Sequence, residues 1–511
     1  MKKEKTYNEA VDGDEGFVPG EGYPSCDGEP CANVSDDSQD GTDTMADVAE
    51  GGDKAGAGSD LTAALAEWQD KFIRLQAEFD NYRKRTLKEK MDLVQTGGRD
   101  VLLAMLPVRD DVQRAVDAMQ KSDDIEALRI GMYNKVQEGP TYYSYIAFDL
   151  FGGELMTSTG RPIDLINSLS NALHTFVSSQ WNGYYKALLQ VNNVMSIAEG
   201  LADSPTRNRV LGECRYFRAY IYLCLVTRFG DVPVLRQNTQ AKVSRDPASM
   251  AWELVEEDLD AASGFLNGLS ADSFYYVSPA AVTALKARVK LYLGKKGEAK
   301  ELAESLITNP NYALDDFDKI FRSKANKEVI FAFSCLTEDG SSIKISNQFY
   351  SYNHPNKGSY NYRPAGDVMT MYADNDLRKE VSITTLDNLN FVNKYPSGQT
   401  GSDPVVISRL AEMYLISAEA QGLNGGLDRL NELREKRGLD RVSPGNEADF
   451  LDAVLQERRL EFLAEGFRWY DLVRTGKATQ TLGTKDYQCL MPLPSRELLY
   501  NPNLKPNNPG Y

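Results

Sequence analysis

Histidine is nearly missing from this chain. There are two in 511 residues, His174 and His354, far apart in sequence. Cysteine is sparse, at six, and no Cys-x-x-Cys pair occurs. Without clustered ligands of either type, no zinc site is expected. No HExxH, GxSxG or Walker A pattern is present, and Arg474-Thr475-Gly476-Lys477 lacks the upstream glycine of a phosphate loop. These gaps point away from catalysis, so the expectation is a protein that is not an enzyme and needs no cofactor. No apolar run approaches about 18 residues, which excludes a transmembrane helix. Positive charge is in deficit, with 57 Lys and Arg against 74 Asp and Glu and a net charge of −17. A nucleic-acid partner is therefore not expected.

The acidity is concentrated at one end. Residues 1–60 hold 16 acidic and 4 basic side chains and few large apolar ones. Such a segment buries too little surface to offset its ordering entropy, so 1–60 reads as a disordered acidic tail. Its opening lysines are not followed by an apolar stretch, and neither Cys26 nor Cys31 follows one. On these residues no export signal or lipid-anchor cysteine is expected, and the chain as written would be cytoplasmic.

The pattern changes at Leu61. Leu61, Leu65, Trp68, Phe72, Leu75, Phe79 and Tyr82 follow one another at alternating steps of four and three. That is a heptad seam, and a stripe so narrow is covered by another helix. The partner is either a second copy, giving a homodimer through 61–95, or the protein's own domain. The helix should weaken at Thr96-Gly97-Gly98. A second stretch over 99–119 is interrupted by Pro107, and a short helix follows Ser122 to about Lys135.

The stretch KFIRLQAEFDNYRKRTLKEKMDLVQTGGRDVLLAMLPVRDDVQRAVDAM, residues 71–119, resembles GrpE, the nucleotide exchange factor of Hsp70 chaperones. The AEFDNYRKR run and the later LP-V-DD-RA pattern carry the likeness, over residues 61–135. It implies a paired long helix and an Hsp70 (DnaK-type) partner. The family's C-terminal β-domain should come next, and nothing after Lys135 looks like it, so adenyl-nucleotide exchange would be impaired.

Between about 131 and 142 the sequence changes character again. Tyr142, Tyr143, Tyr145, Phe148 and Phe151 form an aromatic cluster, and helical patterning returns near Trp181. Trp181 sits at core spacing, and Tyr184, Leu188, Val191 and Val194 share a face. A helix over about 206–229 ends at Gly230-Asp231-Val232-Pro233. Two segments read as tetratricopeptide-like hairpins. In 278–307, Ala284 and Ala287 allow close approach, a turn lies at 294–297, and Ala299 and Ala303 continue on the return helix. In 408–436, Ala418 and Ala420 precede a glycine-rich turn at 422–426. The interval 309–404 has weak helical periodicity and reads as a loop-rich insertion with short strands.

Three pieces in order complete the picture: RYFRAYIYLCLVTRFGDVPVL at 215–235, QERRLEFLAEGFRWYDLVRTGKA at 456–478 and LMPLPSRELLYNPNLKPNNPGY at 490–511. Residues 140–511 thereby resemble the SusD/RagB nutrient-binding lipoproteins of Bacteroidetes outer membranes. The resemblance implies a mainly α fold of helix hairpins with long loop-rich insertions. It implies capture of an oligosaccharide, or in some members a peptide, at the outward face of the cell outer membrane, and transfer to a SusC-like TonB-dependent transporter. In such proteins ligand contacts come from variable loops. The candidate ligand-binding residues are therefore the loop aromatics Tyr143, Phe148, Phe151, Tyr350, Tyr352, His354, Tyr360 and Tyr362, because ring planes stack on sugar C–H faces. Arg458, Arg459, Glu461, Glu465 and Arg468 are expected to form a helix face of Arg–Glu pairs at i,i+3 spacing, with Phe462 and Trp469 as anchoring bulk.

Overall fold

The structure, a computed structural model, describes residues 71, 74, 78, 81, 82, 85, 122–138, 148–157, 171–172, 175–322, 325–335 and 345–511. The acidic tail, the seam positions Leu61, Leu65, Trp68, Phe72, Leu75 and Phe79, the features at 96–119, Tyr143 and His174 lie outside the described residues. Contacts divide the chain into two units, 1–103 and 104–511. In the first, the described residues between Lys71 and Arg85 are helical and exposed, Tyr82 at 60%.

The second unit is a stack of helices. We number the longer ones α1 (Ser122–Gln137), α2 (Thr175–Glu199), α3 (Pro205–Phe229), α4 (Ala248–Phe265), α5 (Pro279–Tyr292), α6 (Lys296–Ile307), α7 (Leu410–Gln421), α8 (Leu423–Lys436), α9 (Glu447–Glu461) and α10 (Arg468–Arg474). From α1 to α9 each helix packs against the next. Local chemistry marks the helix ends. Ser204 and Ser278 accept hydrogen bonds from the backbone N–H groups of Arg207 and Ala281, each followed by a proline in the first turn. Asn446 caps α9 in the same way. The buried face expected along α2, Tyr184 to Val194, faces the core, and Trp181 is buried too.

Both expected hairpins are present. Ala284, Ala287, Ala299 and Ala303 are buried where α5 meets α6, and Gly294 makes the turn at φ +70°. In the second hairpin the turn is shorter than the sequence suggests. Gly422 alone, at φ +69°, joins α7 to α8, while Gly425 and Gly426 lie inside α8. Gly426 permits the crossing. A Cβ there would sit 2.0 Å from the Ala418 carbonyl oxygen.

α1 ends the GrpE-like stretch, yet it packs on α2 and α3. Arg129 forks onto Glu213 of α3 at 2.5 and 2.8 Å. Tyr133 meets the Phe217 ring edge-on at 4.7 Å, and its hydroxyl accepts from the Val277 N–H at 2.9 Å.

The interval between α6 and α7 contributes strands rather than stack helices. β1 (Leu155–Thr157) pairs antiparallel with β3 (Tyr362–Pro364), and β2 (Val329–Phe333) with β6 (Val405–Arg409). β4 (Ile383–Leu386) and β5 (Leu389–Val392) form a hairpin. Asp387 and Asn388 turn it with φ of 50° and 61°, the left-handed pair that a two-residue hairpin needs. β6 runs straight into α7, and α7 packs on α6 although about a hundred residues separate them in sequence.

The Arg–Glu face differs from its expected form. The pairs are not local, because α9 ends at Glu461 and each group finds a remote partner. Glu461 is held by Arg378, Arg409 and Arg437 at 2.5–2.8 Å, and Glu465 by Lys394 and Arg409. Arg458 pairs with Asp471, and Arg459 with Glu154 and Asp367. Glu328 closes the network from the start of β2 by accepting from Arg409 and Arg437. Burial alone would raise the Glu461 pKa, but Arg437, Arg409 and Arg378 outweigh it and hold the carboxyl well below the usual range. Phe462 and Trp469 are buried, as expected of anchors.

Candidate functional site

Two surface regions bring aromatic rings and amides together. The first is the loop 345–362 and the β4–β5 hairpin beneath it. Its centre is the Phe391 ring, with Tyr350, His354 and Tyr360 ring centroids at 5.9, 4.8 and 5.2 Å. Tyr350 is fully buried and donates to Asn393 Oδ1 at 2.9 Å. His354 lies over Tyr350 at 4.5 Å, and its Nδ1 accepts from the Asn356 N–H at 3.0 Å. Burial lowers the His354 pKa against an opposing pull from Asp387, so the ring is neutral at pH 7 and carries its proton on Nε2. Tyr360 donates to the Asn390 carbonyl at 3.0 Å and is half-buried. Tyr362 lies in β3 opposite Thr157. Tyr352 projects from the surface, 74% exposed.

Amides surround these rings. Asn361 donates to Gln348 at 2.7 Å and Asn347 to Ser359 at 3.2 Å. Asn353 and Asn361 are exposed. The loop is pinned from below at Gly398, where a Cβ would fall 1.7 Å from the Asn356 carbonyl oxygen. Flat apolar faces flanked by amide donors and acceptors are suited to stacking and hydrogen bonding with a polyhydroxylated ligand.

The candidate residues therefore divide. Tyr352, His354, Tyr360 and Tyr362 gather at the surface of one loop system. Phe148, Phe151 and Tyr350 are interior, which corrects their expected role as open loop rings. Phe148 packs on Phe151 and Tyr470, and Phe151 on Trp469. With both faces covered, these rings have none left for a ligand.

The second region was missed in the sequence. A cleft of about 220 Å³ lies between α1 and the connection from α4 to α5. Tyr133, Tyr275, Tyr276 and Phe333 line it, with the amides of Asn134 and Gln137. Arg129 covers one face of Tyr276 at 4.6 Å. The signal available was Phe274-Tyr275-Tyr276, an aromatic run in a connection between helices. Among the described residues no group of three or more His, Cys, Asp or Glu side chains is placed to hold a metal.

The model described as SusD family matches residues 388–489, and the one described as starch-binding, associating with the outer membrane, matches 105–293. The GrpE model matches 42–138. The chain joins a GrpE-like segment to a SusD-like region. The SusD-like region is 26% identical over 424 residues to the SusD-like protein P38 of Formosa agariphila, covering 68% of this chain and 82% of that one. The GrpE-like segment is 47% identical over 79 residues to Protein GrpE of Bacteroides thetaiotaomicron. That match spans 15% of this chain and 41% of the relative, so less than half of the relative's length is represented. The fold of the SusD-like region is that of surface glycan-binding protein A from Bacteroides thetaiotaomicron, solved with laminarihexaose. The TM-score is 0.65 at 19% identity, covering 76% of this chain and 99% of that one. The SusD-like and GrpE models overlap on 105–138, and α1 falls in the overlap.

Proposed function

We propose that the SusD-like region captures an oligosaccharide without breaking a bond. Residues 140–511 would act at the outer face of the bacterial outer membrane, together with a SusC-like TonB-dependent transporter that takes the ligand inward. The observation that carries this reading is the loop surface at Tyr352, His354, Tyr360 and Tyr362, where exposed and half-buried rings stand among amides. The likeness to a glycan-binding protein supports the ligand class. Stacking and hydrogen bonds at an open surface give modest affinity.

The test is calorimetry of the full chain with soluble laminarin and starch oligosaccharides. Saturable binding that weakens in Tyr352→Ala supports the reading. Failure of the whole panel to bind sinks it.

A second reading rests on the 47% identity of the GrpE-like segment to its relative. It is a co-chaperone that pairs through 61–95 and touches an Hsp70, with impaired nucleotide exchange. Binding of the full chain to immobilised DnaK tests it, and no saturable binding counts against it.

A further inference from the structure

Arg228, near the end of α3, is 4% exposed. Its Nε donates to the Tyr470 hydroxyl at 2.7 Å and its Nη1 to Gln180 Oε1 at 3.0 Å. The guanidinium lies 4.5 Å from the Phe148 ring centre and 4.7 Å from that of Tyr184. Among the described residues no carboxylate pairs with it, and its Nη2 has no partner. Each of the other buried arginines among the described residues, from Arg129 to Arg458, faces at least one carboxylate. Arg228 is the exception.

A guanidinium does not shed its proton at any working pH. Leaving it buried without a counter-charge is costly. Ring faces offset only part of that cost and leave the net charge in place. Beside Arg228 lies a cavity of about 70 Å³, walled also by Tyr220, Tyr292, Tyr470, Arg288 and Glu465. That is several times the roughly 10–15 Å³ one water needs, and far too little for a sugar chain. The other charges in the wall are already matched. Arg288 is bidentate on Glu412, and Glu465 accepts from Lys394 and Arg409. Tyr470 accepts from Arg228, so its own hydroxyl proton remains to donate.

We propose that this cavity is an anion site, holding a small monovalent anion of about chloride size against Arg228 and the Tyr470 hydroxyl. The ion supplies the counter-charge that none of the described residues does. It is structural, and it is independent of the glycan surface.

Bromide is the probe. Crystals of the full chain grown in sodium bromide should show an anomalous peak in the cavity beside Arg228. In solution the thermal midpoint should be about 2 °C higher in sodium chloride than in sodium gluconate of equal ionic strength, since gluconate is too large to enter. Arg228→Gln should abolish that difference. If the variant does not fold, the bromide map and the two-salt comparison of the unaltered protein decide alone. Ordered water in place of bromide, or identical midpoints in the two salts, overturns the proposal.

Discussion

Glu461 of the helix stack and Asp403 of the insertion between α6 and α7 are acids held in opposite ways. At the stack's edge Glu461 is surrounded by three arginines and stays ionised far below the usual carboxylate range. In the insertion Asp403 is half-buried. Burial raises its pKa to about 6, and hydrogen bonds from the Ser397 hydroxyl and backbone N–H only partly offset that. Glu461 meets its charge with fixed counter-charges drawn from distant parts of the chain, Arg378 and Arg409 among them from the insertion itself. Asp403 relies on a hydroxyl and an amide of its own loop. Glu461 is therefore built to keep its ionic state, and Asp403 to change it under mild acid.

Four experiments break or sharpen that contrast. The largest effect is expected from Glu461→Gln, which leaves Arg378, Arg409 and Arg437 short of their shared acceptor. Denaturant unfolding should show a loss of about 3–5 kcal/mol. The Glu461 pKa is depressed in the folded state. Its contribution is present in full above the unfolded value of about 4.3, and it is lost only as pH falls through the lower folded value. An acid titration in which the variant and the parent lose stability in parallel below pH 4 would contradict this.

Next comes Gly426→Val. The added carbons meet the Ala418 carbonyl, so α7 and α8 must separate, at about 3 kcal/mol. A variant as stable as the parent would show that the crossing is looser than described.

The third concerns Asp403. Its folded pKa is raised, so its favourable contribution is present below about pH 4 and is lost as pH rises through about 6. Asp403→Asn should flatten that slope between pH 4 and 6, read from thermal midpoints, without changing the response to stronger acid.

The smallest effect on stability is expected at Tyr352. Tyr352→Ala should leave the midpoint within about 0.5 kcal/mol of the parent and weaken oligosaccharide binding about tenfold, a loss of about 1.4 kcal/mol. In the cleft, Tyr275→Ala serves as the comparison. If it, and not Tyr352→Ala, removes binding, the ligand sits against α1 and the loop surface is only a wall.

The two regions also differed in how far they could be read in the sequence. Along α2, and at Ala284, Ala287, Ala299 and Ala303, helical spacing and small residues marked the buried faces, because those contacts lie within one hairpin. Gly425 and Gly426 misled for a physical reason. A glycine pair signals a turn by its backbone freedom, but here Gly426 is needed for lack of a side chain, a demand made by the neighbouring helix. The ion network was out of reach, since Glu461 and Glu465 draw partners 24 to 83 positions away. Aromatic density in 142–151 and 347–362 marked where rings cluster but not their direction. Phe148, Phe151 and Tyr350 turned inward while Tyr352 turned out, and only tertiary packing makes that choice.

The pairing of β2 with β6 has a consequence for variation. The two strands bring Phe333 and Val405 side by side, and α6 meets α7 just below, so the neck of the insertion is closed from outside itself. The entropy of closing a loop grows only with the logarithm of its length, about 0.6 kcal/mol per doubling. The exposed turns of the segment between these strands can thus change in length at small cost, while Arg378 and Lys394 within it must still reach Glu461 and Glu465.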